Sequence, residues 1–297
     1  MKLFKSFEEK FRKILGDEFE ELLKFYAEGS KQCIRTNTLK ISSEELKKRL
    51  EEKGWKLEPV PWYEKAFFLQ VGENISKTLE YFLGYYFIQD ASSLVPPLVL
   101  NPLPGESVLD LCAAPGSKTT FMVELMKNEG LIVAVDINPK RLKALSFNLQ
   151  KIGAMNVIVL EHDGRKPLDI EFDKVLVDAP CSGSGTLKIS CWGEKILSRL
   201  SNVQKQLLKS ASQMVKKDGC IVYSTCSIDP EENEAVVDFA VKKLGLEVEE
   251  VEVPGLNYRK GLKEYGKFKF SNEVEKCIRF YPFDNKTEGF FVCKLRK

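Results

Sequence analysis

The sequence contains a single histidine, His162, and none of its eight cysteines forms a C-x-x-C pair. Structural zinc sites are built from cysteine and histidine at short spacings, so we expect no bound metal. A Ser-His-Asp hydrolase is also disfavoured, because His162 stands between Glu161 and Asp163 at a predicted strand end, without a nucleophile elbow. The sequence therefore predicts neither a zinc protein nor a serine hydrolase.

Long apolar segments are missing as well. Charges interrupt the opening stretch MKLFKSFEEKFRKIL, and no run elsewhere is long enough to span a membrane. With no sign of export, the eight cysteines are expected to be reduced thiols and not disulfides. We therefore expect a cytoplasmic protein without membrane contact.

The sequence has little net charge of either sign. Lys and Arg number 45 and Asp and Glu number 43, which leaves a formal net charge of +2. A nucleic-acid surface would have to come from a local basic cluster, because the bulk charge is nearly zero. We take Arg35, Lys40 and Lys48 as candidates for RNA contact, although glutamates are interleaved with them.

Strand-like and helix-like segments alternate from residue 107 onward, as in a parallel sheet with helices on both faces. Two final runs, 246–253 and 289–295, lack a full helix between them and predict an antiparallel pair at a sheet edge. The predicted fold class is α/β, a Rossmann-like, mostly parallel, doubly wound sheet with an antiparallel edge. The other predicted strands are 107–111, 131–136, 157–162, 172–178 and 220–225, and the predicted helices are 117–127, 139–152, 198–216 and 231–244.

The chain ahead of this sheet predicts separate, smaller parts. Aromatic and leucine residues recur at three- and four-residue spacing over 3–26, which indicates amphipathic helices docked by their aromatic face. A small α+β module follows these helices. Its predicted elements are strands at 33–41 and about 66–71 and a helix at 43–53 that Ser43 caps. The predicted division of the chain is 1–30, 31–83 and 84–297.

Two cysteines stand directly after predicted strands. Cys226 follows the strand 220–225, and Cys181 follows the strand that ends at Asp178. Open α/β sheets bind ligands beyond the carboxyl ends of their strands, so both thiols and Asp178 share one cleft if the strands are neighbours. Most free cysteines are small core residues, but two of them at strand ends beside an acid favour a functional site.

The loop after the first strand, DLCAAPGSKT, is suited to a cofactor. Its small residues let a ligand approach the backbone, and the following helix points its N-terminus at that ligand. Asp136 ends the second strand about 20 residues after Gly116, where an acid binds ribose hydroxyls. Asp163 ends the third strand, a position suited to an adenine amino group. The predicted ligand therefore contains an adenosine.

The motifs that the loop lacks indicate which adenosine-containing cofactor it binds. Gly116 is its only glycine, so the three-glycine dinucleotide fingerprint is absent and a nicotinamide dehydrogenase is disfavoured. A P-loop is excluded because Ser117 separates Gly116 from Lys118. S-adenosylmethionine, which has no phosphates, fits the loop best.

Five sequence motifs follow one another over about residues 84–297. They are DLCAAPGSKTT, VDINPKRL, DAPCSGSG, YSTCSIDPEENE and RFYPFDNKTEGFFVCKL. In this order they resemble the motifs of the RNA cytosine-5 methyltransferases of the Sun/NOL family. IRTNTLKI is similar to that family's small RNA-recognition-like N-terminal module, and the compact length resembles its short archaeal tRNA methyltransferases.

The resemblance implies S-adenosylmethionine-dependent methylation of cytosine carbon 5 in RNA, with tRNA favoured over rRNA, by a monomer. It makes Cys226 the nucleophile that adds to carbon 6, and Cys181 the group that assists product release. Asp178 and Lys118 would contact the cytosine. The residues implied in cofactor binding are Cys112, Ala113, Ala114, Pro115, Gly116, Ser117, Lys118, Asp136, Arg141, Asp163 and Asp178.

This chemistry requires an activated thiol. A cysteine with a pKa near ~8.5 is only a few per cent thiolate at neutral pH. The helix expected to start at Pro230 would favour the Cys226 thiolate through its dipole. An acid near ring nitrogen 3, the role of Asp178, would take up developing charge, and the cytosine must leave its stack to reach the cleft. The base that removes the carbon 5 proton is not identified.

Other interpretations stay open. The substrate could be rRNA, or the protein could be a cofactor-binding, RNA-binding assembly factor with little activity. A DNA cytosine-5 methyltransferase would use Cys181 as its nucleophile, but no long target-recognition insertion is visible. One segment, KISCWGEKILSRL at 188–200, departs from the basic, proline-containing segment of many family members, which concerns RNA contacts and not the chemistry.

Overall fold

Aromatic side chains dock the first two helices, α1 (Lys5–Leu15) and α2 (Phe19–Glu28), onto the rest of the molecule. Their buried sides meet residues that lie far along the chain, which confirms the predicted docking. The cluster contains Phe7, Phe11, Leu15, Phe19, Leu22, Trp192, Leu197, Ile228 and Tyr281. The computed structural model describes residues 4–70, 74–187 and 192–297.

A small antiparallel sheet follows, with the order β2–β3–β1–β4. The helix α3 (Ser43–Glu51) packs Leu46 and Leu50 against it. The α+β character of this N-terminal part agrees with the prediction. Its strands are β1 (Cys33–Thr36), β2 (Lys56–Val60), β3 (Tyr63–Gln70) and β4 (Tyr86–Ile88).

Three details of the small module differ from the sequence-based expectation. β1 ends at Thr36, so the predicted strand 33–41 was too long. β2 was not predicted, because its charged residues and Pro59 give no apolar alternation, and such residues are tolerated on an edge strand. The side chain of Ser42, and not Ser43, caps α3 by accepting a hydrogen bond from the Glu45 backbone N–H at 3.2 Å. Val71, in the strand expected at about 66–71, lies outside the described residues.

The division into 1–30, 31–83 and 84–297 stays a prediction. β4 lies past its second boundary, yet it pairs with β1, with Arg35 opposite Phe87. The short helices α4 (Leu79–Phe82) and α5 (Val95–Leu100) flank this strand on either side along the chain.

The large sheet has the order β11–β14–β15–β9–β8–β5–β6–β7, and β10 pairs with β15. The segment β7–β6–β5–β8–β9 is parallel, and β10, β11, β14 and β15 form the antiparallel edge, so the predicted fold class is confirmed. The strands are β5 (Ser107–Asp110), β6 (Leu131–Asp136), β7 (Val157–Glu161), β8 (Phe172–Asp178), β9 (Val215–Thr225), β10 (Glu247–Glu249), β11 (Arg259–Lys260), β14 (Ile278–Phe280) and β15 (Phe290–Arg296). A separate hairpin pairs β12 (Glu264–Tyr265) with β13 (Phe268–Lys269).

Helices cover both faces of this sheet, because its strands are apolar on both sides. Val108 and Leu176 face one layer, which contains α6 and α7, whereas Leu109 faces the other, which contains α8 and α9. In the described part of the chain, none of the helices is long and apolar enough to cross a membrane. The helices are α6 (Ser117–Leu125), α7 (Pro139–Ile152), α8 (Glu194–Met214), α9 (Glu234–Leu244) and α10 (Pro282–Asn285).

Two elements near the predicted catalytic strand have unexpected bounds. β9 already begins at Val215, five residues before the predicted strand 220–225, and its pairing with β8 is irregular near this start. The helix expected over 231–244 begins only at Glu234. The intervening Glu232 and Asn233 are fully buried and hydrogen-bonded to neighbouring loops, which fixes them outside the helix.

Candidate active site

The two cysteines meet at the carboxyl ends of neighbouring strands. β8 and β9 are parallel neighbours with Asp178 level with Ser224. The chain then places Cys181 and Cys226 in adjoining loops, with their Sγ atoms 3.2 Å apart. The expected convergence of both thiols and Asp178 on one cleft is therefore found. Both thiol side chains are half-buried, so they remain open to a ligand.

A buried carboxylate holds the loop of Cys181. Glu232 accepts hydrogen bonds from the Ser182 backbone N–H at 3.0 Å and from the Ser182 hydroxyl at 2.5 Å. Gln204, on α8, bridges Glu232 and the Pro180 carbonyl with bonds of 3.1 and 2.9 Å. Sequence reasoning gave Glu232 no role beyond a helix start, although its place in the PEENE motif was a signal.

The loop of Cys226 is fixed by side chains that follow it. Thr225 donates to Asn233 at 2.6 Å, and Asn233 donates to the Ser227 carbonyl at 2.8 Å. Asp229, fully buried, accepts hydrogen bonds from Trp192 and from Lys10 of α1. α9 starts at Glu234, eight residues after Cys226, and not at Pro230 as expected. Activation of the Cys226 thiol by the dipole of this helix stays a prediction.

A partly buried ion pair lies beside the thiols. Lys118 Nζ is 2.8 Å from Asp178 Oδ2, and the Ser224 hydroxyl donates to the other Asp178 oxygen at 2.8 Å. Burial acts to lower the pKa of Lys118, but Asp178, with smaller effects of Cys226 and Asp110, raises it above its ordinary value. Lys118 is thus a permanent cation within electrostatic reach of Cys226.

The surroundings of Cys181 keep its thiol protonated. The hydrogen bond between the two thiols, followed by burial, raises the pKa of Cys181 well above its ordinary value. Cys181 is therefore a neutral thiol at physiological pH, and it can donate its S–H to the Cys226 sulfur.

Two cavities share the wall that Asp178, Ala179 and Cys226 form. The strand-end cavity, of about 360 Å³, continues along Cys181 and the ends of β5, β6 and β7. The interdomain cavity, of about 390 Å³, lies between the small module and the large sheet and is lined by Gln89, among others. A ligand in either cavity reaches the same Cys226 side chain.

The residues predicted to bind the cofactor divide between these cavities. The strand-end cavity is lined by Cys112, Asp136, Arg141, Asp163 and Asp178. Pro115, Ser117 and Lys118 line the interdomain cavity, together with Asp178 again. Ala113, Ala114 and Gly116 line neither cavity, although they belong to the same loop.

Hydrogen bonds and arginine side chains fix the two acids of the strand-end cavity, Asp136 and Asp163. Asp136 is buried and accepts hydrogen bonds from the Ala114 and Asn138 backbone N–H groups at 3.3 and 2.9 Å, and Arg141 lies 3.1 Å from it. Arg165, which sequence reasoning missed, forms a two-pronged pair with Asp163 at 2.9 and 2.7 Å.

The Arg165 hydrogen bonds lower the pKa of Asp163 to about 2. Asp163 is therefore an anion at physiological pH, and it can accept a hydrogen bond from a ligand.

Arg35 does not serve as a free RNA contact, which corrects the expectation for this residue. It is fully buried and forms an ion pair with Glu124 of α6 at 2.8 Å. It also donates to the Ser117 carbonyl at 3.0 Å and to the Thr120 hydroxyl at 3.0 Å. Arg35 thus fastens the small sheet to the helix that begins with the Ser117–Lys118 loop.

The other two RNA candidates remain on the surface. Lys40 donates hydrogen bonds to the backbone carbonyls of Leu83 and Lys151 at 2.9 and 2.7 Å, at the junction of the two sheets. Lys48 is exposed on α3, and RNA contact there stays a prediction. Of the segment 188–200, residues 188–191 lie outside the described residues, and from Glu194 onward it belongs to α8.

A Rossmann-like sheet with this arrangement of strand-end acids defines the molecule as a methyltransferase by fold. The chain belongs to the family described as 16S rRNA methyltransferase RsmB/F, whose model matches residues 97–296, and residues 3–91 match the N-terminal domain of 16S rRNA methyltransferase RsmF. The predicted membership in the Sun-type RNA cytosine-5 methyltransferases is thereby confirmed.

Characterised relatives carry both tRNA and rRNA names. The chain is 40% identical to a tRNA (cytosine(49)-C(5))-methyltransferase of Pyrococcus abyssi, over 100% of this chain and 97% of the relative. It is 42% identical to the 25S rRNA (cytosine-C(5))-methyltransferase nop2 of Schizosaccharomyces pombe, over 89% of this chain and 46% of the relative. It is also 37% identical to the ribosomal RNA small subunit methyltransferase F of Vibrio parahaemolyticus, and it spans 63% of that relative's length.

Solved structures show the same fold. A methyltransferase homologue from Pyrococcus horikoshii superimposes with a TM-score of 0.91 at 36% identity, over 99% of this chain and 95% of that one. NSun6 from Pyrococcus horikoshii with SFG superimposes with a TM-score of 0.88 at 25% identity, over 99% and 98% of the two chains.

Proposed function

We propose that this RNA cytosine-5 methyltransferase uses S-adenosylmethionine to methylate carbon 5 of a cytosine in tRNA, through a covalent adduct between Cys226 and carbon 6. The observation that carries the proposal is the common wall of the two cavities. One cavity suits an adenosine and the other suits a base, and Cys226 borders both. A cofactor in one cavity and a base in the other would then both lie next to Cys226, which suits direct methyl transfer between them.

The strand-end cavity fits the cofactor in size and chemistry. Its volume of about 360 Å³ lies within the ~300–1,000 Å³ typical of small-molecule sites. The carboxylates of Asp136 and Asp163 can accept hydrogen bonds from ribose hydroxyls and an adenine amino group, and Val203 and Leu207 offer apolar contact to the ring. When bound, S-adenosylmethionine supplies an electrophilic methyl group. The P. horikoshii NSun6 structure contains SFG, an analogue of this cofactor.

Lys118 and Asp178 supply the polar contacts of the target base. Carbon 5 of cytosine is a poor nucleophile until a thiolate adds to carbon 6, which forms the C–S bond and leaves charge on the ring. The Lys118 ammonium stabilises the Cys226 thiolate and can then donate to ring oxygen 2 or nitrogen 3. The Asp178 carboxylate can accept from the exocyclic amino group of the cytosine. This proposal assigns the developing charge at ring nitrogen 3 to Lys118, in place of the role first expected for Asp178.

The thiol pair supports different roles for the two cysteines. Cys226 attacks, and Cys181 remains a neutral S–H donor 3.2 Å away. After methyl transfer, a base takes the carbon 5 proton, the electrons of that C–H bond form the carbon 5–carbon 6 double bond, and the C–S bond breaks with its electron pair on the Cys226 sulfur. An S–H donor beside that sulfur stabilises it as a leaving group. The same electrostatics disfavour Cys181 as the nucleophile, and with it the mechanism of DNA-type enzymes.

The choice of tRNA rests on the extent of the similarity. The P. abyssi enzyme, with a tRNA name, matches this chain over nearly the full length of both, whereas the nop2 and methyltransferase F relatives extend well beyond it. Bisulfite sequencing after incubation with tRNA and with rRNA tests this choice. Methylation confined to rRNA would exclude the tRNA proposal.

Single cysteine variants test the mechanism. Cys226→Ala should abolish methyl transfer from labelled cofactor to RNA, because carbon 5 is then never activated. Cys181→Ala should still add to and methylate the base, but it should accumulate a protein–RNA adduct that survives denaturing gel electrophoresis.

Cys220→Ala, a buried cysteine on β9 away from both cavities, serves as the matched control and should form no adduct. An adduct with Cys226→Ala and none with Cys181→Ala would reverse the assignment. No adduct with either variant, alongside an active wild type, would remove the release role from Cys181.

A further inference from the structure

One side of the interdomain cavity, which we call its mouth, is formed by Tyr81, Phe87 and Lys151. Lys151 Nζ of α7 lies 3.6 Å from the centre of the Tyr81 ring and 5.6 Å from that of Phe87. Phe147, one turn earlier on α7, is 6.0 Å from the same ammonium. Tyr81, Phe87 and Lys151 line the cavity itself.

Phe147 is 63% exposed. A single exposed apolar side chain needs no explanation. Here, however, the ring stands at a cavity mouth, beside a cation and two further rings contributed by the small module. Exposed aromatic faces with neighbouring cations are the features with which proteins hold unstacked nucleobases.

Two lysines, Lys40 and Lys151, bring positive charge to the same place. Lys40 donates to the Lys151 carbonyl, and burial together with the charge of Lys151 lowers the pKa of Lys40. Within the described ranges, neither lysine forms an ion pair with a carboxylate. Two adjacent ammonium groups of this kind suit the phosphate of a polynucleotide, because an incoming anion relieves their repulsion.

A hydrogen bond connects this surface to the loop that carries Pro115. Asn148, which follows Phe147 on α7, donates a hydrogen bond to the Pro115 carbonyl at 2.9 Å. Pro115 and Lys118 line the cavity that opens at the rings. A nucleotide held at the mouth would thus be placed at a fixed distance from the base inside.

We propose that Tyr81, Phe147, Lys151 and Lys40 form a subsite for the nucleotide next to the target cytosine. The base of that nucleotide stacks on Phe147 and its phosphate is held by the two lysines. This subsite rests on the proposed function, since it takes the interdomain cavity as the place of the target base. Stacking of this kind is tolerant of sequence, so the subsite holds the strand and does not by itself select the cytosine.

Equilibrium binding of RNA tests the subsite. The probe is a fluorescent 12-nucleotide single-stranded RNA with one central cytosine, measured by anisotropy. Phe147→Ala should weaken binding roughly five- to hundredfold, the range of one base–aromatic stack. Lys151→Met should weaken binding and lower the slope of log affinity against log salt by about one.

Two control variants lie near the amino ends of the central strands β5 and β9, whereas the cavities lie at the carboxyl ends. Leu103→Ala removes a comparably exposed apolar side chain just before β5, and Lys217→Met removes an exposed charge near the start of β9. Both should bind the probe like the wild type. If Phe147→Ala and Lys151→Met also bind like the wild type, the proposal is wrong.

A second probe separates stacking from a loss of structure. Two further RNAs each lack one base, on one or the other side of the cytosine. The wild type should bind more weakly the RNA that lacks the base expected to stack on Phe147. For Phe147→Ala, removal of that base should cause no further loss of affinity, because the ring and the base act as one pair. Additive losses would contradict the pairing.

The binding results are distinguishable from a failure of the proposed function. If wild-type protein methylates no RNA, the proposed function fails whatever the anisotropy shows. If it methylates RNA while Phe147→Ala binds normally, only the subsite fails.

Discussion

Lys118 is one cation that faces three groups able to carry negative charge. It pairs directly with Asp178, and Cys226 and Asp110 also contribute to raising its pKa. A single ammonium cannot neutralise all three in a buried site. The group furthest from water, Asp110, is the one left uncompensated: one of its oxygens is buried without a hydrogen-bond partner among the described residues.

Asp110 therefore titrates near neutrality. Burial raises its pKa from 3.8 to about 7, and the hydrogen bond from Thr119 at 2.8 Å offsets this only partly. Between pH 4 and 7 the folded protein then holds a proton on Asp110 that the unfolded chain has lost. By linkage, this residue makes the free energy of unfolding fall as pH rises through that range.

Replacement of Asp110 by Asn should remove this pH dependence. Between pH 5 and 7, the unfolding free energy of Asp110→Asn should rise relative to that of the wild type by up to about 1.4 kcal/mol per pH unit. Above pH 7 the difference between the two proteins should become constant. Urea unfolding at several pH values measures it. A difference that stays constant over this range would show that Asp110 is ionised throughout.

Asp136 is expected to dominate recognition of the cofactor's ribose. Asp136→Ala should weaken binding of S-adenosylmethionine and S-adenosylhomocysteine by ~1–3 kcal/mol, the range for hydrogen bonds to a charged acceptor. Part of the loss would come from the loop at Ala114, whose backbone N–H contacts the same carboxylate. Calorimetry measures the affinities, which we expect to be micromolar for the wild type, and nicotinamide dinucleotides should not bind.

Glu161→Ala is the matched control for this variant. Glu161 stands level with Asp136 on the adjoining strand and is exposed. Its replacement should leave the affinity unchanged. An Asp136→Ala protein with wild-type affinity would take Asp136 out of the site.

At the scale of elements, Arg35 couples the small sheet to α6. Its removal leaves Glu124 as an unpaired carboxylate in the interior, and breaking a buried pair in this way typically costs ~3–5 kcal/mol. Arg35→Met should therefore lower the free energy of unfolding by about that amount. The double variant Arg35→Met/Glu124→Met should be less destabilised than the single one, because no charge is then buried alone.

Urea unfolding of both variants measures these costs. A loss below about 1 kcal/mol for Arg35→Met would mean that solvent reaches Glu124 and that the pair is a minor link between the two parts.

Sequence reasoning worked best where function depends on strand ends. The bounds of β6, β8 and α7 agree with the predicted ones, because strong apolar periodicity and clear breakers define them. Cys181 and Cys226 could be placed together since parallel neighbours bring their carboxyl ends to one edge. The same logic could not predict that Arg35 is buried in an ion pair. Its partner Glu124 is 89 residues away, and no local sequence pattern indicates the burial.

The start of α9 shows a second limit. Pro230 and the following acids have the composition of a helix N-terminus, but tertiary hydrogen bonds to Glu232 and Asn233 outweigh that propensity. Arg165 was missed for a different reason, because an arginine two residues after an acid has no distinctive spacing. The resemblance to a family supplied the roles of the site residues, which periodicity alone does not give.

The docking of α1 has a consequence for how the molecule is made. Lys10 finds its partner Asp229 only 219 residues later in the chain, and Phe7 and Phe11 pack on a cluster that includes Tyr281. A ribosome adding ~5–20 residues per second needs roughly 10 to 45 s to supply Asp229 after Lys10. Throughout that interval the aromatic face of α1 lacks Ile228 and Tyr281 of its cluster, so α1 reaches its final place long after it has been made.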